Sequence, residues 1–243
     1  KQGYAVAACE SFYDKVREER SIRWLMSRRL DALIIAPCGR TVEDYAYLAE
    51  VGIPVIFIDQ YIPGLNCEFF VVNNREICKQ CIDYLMDHGH RQIAMVAAQT
   101  GLYTSDERVK GYYDAFAQRG IPVDENMIFH VTEDADVVKK LLKEKVCTAL
   151  FAANFPNTIG SMFAINEARI AIPEELSFVG FDDLMFTRIF RPKLTIIDQP
   201  ISEIAAGVTK RVFELMEQEV YSYQVNELQC VMKINASTAK REN

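Results

Sequence analysis

Short apolar runs alternate with amphipathic stretches along nearly the whole chain, and this alternation limits the folds open to it. The runs are Tyr4 to Cys9, Leu33 to Ala36, Val55 to Ile58, Phe69 to Val72, Ile93 to Ala97, Met127 to Val131, Ala149 to Ala152, Phe178 to Phe181 and Leu194 to Ile197. Strands of this kind are covered on both faces, so their neighbours are parallel strands and their connections are helices. The helical stretches carry one apolar stripe each: Ile22, Leu25 and Met26; then Ile77, Cys78, Cys81, Ile82, Leu85 and Met86; and, in Ile201 to Gln218, Ile204, Val208, Val212 and Leu215. Asn74 and Ser105 read as helix caps, and Gly52, Gly89 and Gly120 as stops. A last strand is expected at Leu228 to Ile234. The series predicts an α/β chain of two similar lobes, each a parallel sheet flanked by helices, with a cleft between them. A barrel is the alternative; uneven spacing and the polar stretch Glu217 to Glu227 argue against it.

Composition narrows the partners. Lys and Arg number 27 against 34 Asp and Glu, a net charge of −7, which leaves no basic face dense enough to grip DNA. No apolar run has the roughly 20 residues of a membrane helix, and the start lacks a signal-peptide pattern, so a cytoplasmic protein is expected. Seven cysteines, mostly within apolar segments, read as buried reduced thiols. Cys78 and Cys81 have C-x-x-C spacing, but no second pair has ligand spacing, so neither metal nor cofactor is expected. No nucleotide, hydrolase or zinc-protease motif supports an enzyme.

Polar residues collect where strands stop: Glu10 and Ser11, Asp59, Gln99, Asn154, Asp182 and Gln199. The carboxyl ends of strands are where open α/β sheets bind ligands. Arg108, in Arg108-x-x-Gly111-Tyr112, joins this set from the following helix, and Gly111 permits close packing of that helix. Carboxylates accept from vicinal hydroxyls, while Arg and Asn donate to ring and hydroxyl oxygens, so a neutral polyhydroxyl ligand suits the set. Phe155 or a tyrosine is placed to stack on a sugar face. Plainer readings exist: Asp182 as the cap of a helix from Leu184 to Phe190, Arg108 as a surface partner of Glu107 or Asp106, and Asp59 and Asn154 as turn residues. Asp183 reads as a helix-start residue. An Asp182–Asp183 or Asp59–Asp182 pair for glycoside hydrolysis is the enzymatic alternative.

Several segments, in order, resemble the effector-binding domain of LacI/GalR-type bacterial transcription regulators, of the periplasmic-binding-protein type I fold. They are Val72-Asn73-Asn74 with His88-Gly89-His90-Arg91-Gln92-Ile93-Ala94, then Arg108-Val109-Lys110-Gly111-Tyr112. Ile172-Pro173-Glu174-Glu175-Leu176-Ser177 through Gly180-Phe181-Asp182-Asp183 follows, and Leu194-Thr195-Ile196-Ile197-Asp198-Gln199-Pro200 closes the set.

The resemblance implies a homodimeric sensor whose lobes are crossed by three chain segments, near Ala98 to Thr100, Asp198 to Pro200 and Gln218 to Gln224. The lobes are then 1–98 with 199–218 and 99–198 with 219–243. It implies effector contacts at Asp59, Arg108, Asn154 and Asp182, with Gln199 near a crossover. Asn154-Phe155 departs from the family's Asn-Asp, and the first strand and helix of the first lobe are not matched. Operator DNA is expected to be bound only through a helix-turn-helix upstream of Lys1. The alternative with the same fold is a solute-binding receptor of a sugar transporter.

Overall fold

The computed structural model describes residues 3–48, 51–131, 135–144, 146–183, 185–217 and 222–241. In chain order the helices are α1 (Lys15–Met26), α2 (Val42–Tyr45), α3 (Asn74–Asp87), α4 (Tyr103–Gln118), α5 (Ala135–Glu144), α6 (Phe155–Ala168) and α7 (Ile201–Met216). The strands are β1 (Leu33–Ile35), β2 (Val55–Ile58), β3 (Glu68–Val72), β4 (Ile93–Ala97), β5 (Ile128–His130), β6 (Ala149–Ala152), β7 (Ser177–Phe181), β8 (Thr195–Asp198), β9 (Val225–Leu228) and β10 (Val231–Lys233). Two compact units result: 1–71 with 201–228, and 72–200 with 229–243.

The first unit holds a sheet in the order β1-β2-β3-β9. β1, β2 and β3 are parallel, with Leu33 opposite Val55 and Ile56 opposite Glu68. The period of two along these strands sorts their side chains: Leu33, Ile35, Val55, Phe57 and Phe69 pack with Ile22, Leu25 and Tyr45, whereas Ile56 and Phe70 pack with Val208 and Leu215 of α7. Gly207 lets α7 approach, since a Cβ there would lie 2.8 Å from the Phe70 ring. Glu68, fully buried, accepts from Arg211 Nε (2.9 Å) and Nη2 (3.2 Å), from the Gln224 N–H (3.0 Å) and from Asn226 Nδ2 (2.7 Å), tying α7 to β3 and the β9 segment.

The second unit has the sheet β10-β8-β7-β6-β4-β5, with β4 to β8 parallel and β10 antiparallel to β8. Ala94, Val96, Leu150, Ala152 and Phe178 face Val138, Leu141, Met162 and Ile165 of α5 and α6. The sequence of α5 reads as one apolar stripe of Val137, Val138, Leu141 and Leu142; the side chains at 137 and 142 lie outside the described residues. α3 packs on α4, where a Cβ on Gly111 would lie 2.2 Å from the Arg75 carbonyl oxygen and 3.0 Å from Cys78 Cβ. Gly111 therefore does permit the close approach expected of it.

Several expectations are corrected. The segment Tyr4 to Cys9 forms no strand, and Val6 is 93 % exposed. The unit boundary falls within β3 rather than at residue 98, because β4 is hydrogen-bonded between β5 and β6 inside the second sheet. The chain changes unit three times, at 71/72, 200/201 and 228/229. For the third, residues 218–221 of the stretch Gln218 to Gln224 lie outside the described residues. The single strand expected at Leu228 to Ile234 is two strands in different sheets, β9 and β10, separated by Gln229 and Cys230. α3 begins at Asn74 with Asn73 as its N-cap, and α4 begins at Tyr103, so neither Asn74 nor Ser105 is a cap; the Ser105 hydroxyl donates to the Ala98 carbonyl (2.9 Å).

Candidate functional site

The polar residues of the second unit gather at the carboxyl ends of β6, β7 and β8. Arg108 leaves the second turn of α4 and is buried, with Nε donating to Asn74 Oδ1 (2.8 Å) and Nη1 to the Ala153 carbonyl (2.6 Å). Its guanidinium carbon lies 3.7 Å from the centroid of the Phe181 ring. The stacking and the forked donors fix the guanidinium plane. Its burial rules out the surface-partner reading: Glu107 pairs with Lys110 instead, and Asp106 accepts from the Gly101 N–H.

Asp182 follows Phe181 with φ +71, a left-handed backbone conformation that costs a non-glycine residue about 1–2 kcal/mol. Its N–H donates to the Ile197 carbonyl (2.7 Å), and Oδ1 accepts from Gln199 Nε2 (2.7 Å), so the ends of β7 and β8 are fastened together. Next to it, Asp183 accepts from Lys233 (2.8 Å) and Arg188 (3.2 Å), and Lys233 also pairs with Asp198 (2.7 Å). Burial alone would raise the Asp183 carboxyl; Lys233 and Arg188 outweigh it and hold the group below the usual carboxylate range. Asp183 is thus an ion-pair residue, and the two adjacent carboxylates have different partners.

Asn154 is the N-cap of α6, its Oδ1 accepting from the Asn157 N–H (2.8 Å). Thr158 locks this helix start to the strand end: its hydroxyl donates to the Asn154 carbonyl (2.8 Å) and accepts from the Phe181 N–H (2.9 Å). Gly180 leaves room for it, since a Cβ there would lie 2.7 Å from Thr158 Cγ2. Phe155, half-buried, is the first residue of α6.

Of the sequence-derived set, Arg108, Asn154, Asp182 and Gln199 come together in this unit. Gln99 is exposed. Asp59, Glu10 and Ser11 belong to the first unit: Asp59 is exposed at the end of β2, Glu10 is exposed, and Ser11 Oγ lies 3.1 Å from Cys38 Sγ. Asn74, Phe181, the Ala153 carbonyl and Lys233 were not anticipated. Cys78 and Cys81 are buried in α3, where burial pushes both thiols well up from the ordinary value, against a redox or metal role.

The family model described as periplasmic binding protein-like domain matches residues 82–238, well over half of the chain. The protein named "Probable HTH-type transcriptional regulator EndR" of Paenibacillus polymyxa is 26% identical over 244 aligned residues, covering 98% of this chain and 71% of that protein. The transcriptional repressor AscG of Escherichia coli superposes with a TM-score of 0.77 at 25% identity, over 93% of this chain and 84% of that one. A LacI-family regulator of Enterococcus faecium with bound ribose shares the fold, with a TM-score of 0.82 at 22% identity over 92% and 85% of the two chains. Among the described residues no helix is long and apolar enough to cross a membrane.

Proposed function

The chain belongs to the periplasmic binding protein-like domain family, and we propose that it is the effector-sensing part of a LacI/GalR-type transcription regulator, taking a sugar-like polyhydroxyl molecule at the carboxyl ends of its strands. The observation that carries this reading is the buried Arg108, aimed by Asn74, Ala153 and Phe181 at the strand ends where Asp182 and Gln199 meet. A fixed guanidinium and a fixed carboxylate recognise hydroxyls from opposite sides, as donor and as acceptor. The ribose held by the Enterococcus faecium regulator supports the ligand class. On this reading Asp59 and Phe155 supply further contacts, the regulator is a cytoplasmic homodimer, and operator DNA is met by a helix-turn-helix segment as in the relatives so named. Effector binding shifts the balance between conformations by about 1–3 kcal/mol.

A thermal-shift panel of D-ribose, cellobiose, sugar phosphates and nucleosides tests this. A binder at 100 times its Kd stabilises by about 2.7 kcal/mol, which for a chain of this size raises Tm by about 5–10 °C. Arg108→Met and Asp182→Gly are each expected to abolish the shift. A panel without a single shift, or a shift that survives both substitutions, would overturn the proposal.

A further inference from the structure

Two consecutive asparagines open α3 and reach in different directions. Asn74, 1 % exposed, accepts from Arg108 Nε at 2.8 Å while its own Nδ2 donates to the Val72 carbonyl at 3.1 Å. Asn73, 5 % exposed, donates from Nδ2 to Gln229 Oε1 at 2.7 Å, and its Oδ1 accepts the Cys230 N–H at 2.8 Å. Its carbonyl accepts the Ile77 N–H, the first bond of α3 (2.9 Å). Residues 229 and 230 are where the chain re-enters this unit after β9, and residue 72 is where it first enters.

Helix capping alone does not account for the pair. A capping asparagine turns its oxygen to the free amides of the first turn; Asn73 makes no such bond and uses that oxygen on Cys230. Asn74 lies inside the helix and uses its oxygen on Arg108. Both side chains have their acceptor and donor engaged, so their amide planes are fixed. One rigid peptide bond joins them. A displacement of the guanidinium that moves Asn74 therefore moves the start of α3, and with it Asn73. Cys230 sits close enough to this cluster for its thiol to feel the charges of Arg108 and Asp182; burial, the larger effect, pushes it up to about 12.

We propose that Asn73 and Asn74 form a positioning pair that links Arg108 to the returning chain at Gln229 and Cys230, so that events at the guanidinium alter the segment through which the chain passes between its units. The functional meaning rests on the reading of Arg108 as an effector contact, but the link is a property of the ligand-free protein and is testable without a ligand.

The test is native-state amide exchange, followed by NMR, at Cys230 and at Phe151, an amide in the β4–β6–β7 core, in the ligand-free chain. Asn73→Ala is expected to speed exchange at Cys230 about tenfold or more and to leave Phe151 unchanged. Asn74→Ala and Arg108→Lys, which leave Asn73 in place, are expected to speed Cys230 about threefold or more. Should Asn74→Ala not fold, Arg108→Lys, which leaves both asparagines in place, carries the test of the link. If Asn73→Ala leaves Cys230 unchanged, the clamp does not exist. If only Asn73→Ala acts, the link to Arg108 fails. A silent sugar panel alongside positive exchange results overturns the effector reading and leaves the link standing.

Discussion

Asp59 and Asp182 end their strands in the same way. Each has a left-handed backbone, φ +70 and φ +71, and each donates its N–H across to the strand alongside, Asp59 to the Phe70 carbonyl (2.9 Å) and Asp182 to the Ile197 carbonyl (2.7 Å). The conformation is native to glycine and strained for alanine. Glycine is therefore the substitution that removes the carboxylate and spares the backbone. Asp182→Ala is expected to be about 1 kcal/mol less stable than Asp182→Gly in urea unfolding, and the same order is expected at Asp59; equal stabilities would show that the turn relaxes.

The buried Glu68 depends on Arg211. Arg211→Met would leave a fully buried carboxylate with, among the described residues, the Gln224 and Asn226 donors, and is expected to cost about 3–5 kcal/mol in urea unfolding. Joining it to Glu68→Gln removes the charge as well, and the double variant is expected to recover at least half of the loss. A double variant as unstable as Arg211→Met alone would mean that packing, not charge, is what Arg211 supplies.

Gly111→Ala forces α3 and α4 apart, because the new methyl meets the Arg75 backbone oxygen rather than a flexible side chain. Overpacking of this kind costs about 1–3 kcal/mol, a fall in Tm of about 2–12 °C. Arg108 is one turn away on the same helix, so a sugar found in the panel is expected to bind more weakly as well, as calorimetry would register.

His90 makes the second unit sensitive to acid. Nε2 lies 3.1 Å from the Ala239 carbonyl, an acceptor only, so Nε2 carries the proton and Nδ1 accepts from the Thr148 hydroxyl at 2.9 Å. Burial lowers its pKa below 6.5; the bond to Ala239 opposes this, and the charges of Arg241 and His88 add to it. With the folded value depressed, the folded state binds fewer protons than the unfolded state between the two values. The stability is complete above about pH 6.5 and is lost as pH falls towards and through the lowered value. Thermal melts from pH 8 to pH 5 should show this decline, and His90→Gln should flatten it above the range where carboxylates titrate.

What the sequence disclosed was what depends on near neighbours. Alternation of β-branched runs with 3.6-periodic stripes located β2, β4, β6 and β7 almost to the residue, and Arg-x-x-Gly disclosed a helix with a close neighbour. Non-local geometry stayed hidden. Nothing in Phe69 to Asn73 marks a change of unit, because the apolar run continues through it. Leu228 to Ile234 alternates like one strand, and only the two different partners, β3 and β8, divide it. Asn74 looked like a cap because a helix does start there; its true partner, Arg108, lies 34 residues on.

The division of residues 225–233 between two sheets bears on synthesis. β9 pairs with a strand formed at 68–72 and β10 with one at 195–198, so each sheet gains an edge from a stretch made after the strand it pairs with. On the ribosome, the edges of β3 and β8 stay open until that stretch emerges. Closure of such distant pairings is slow, and exposed strand edges invite pairing with other chains. The interval between completing α7 and laying down these two short strands is thus one in which two sheet edges are open at once.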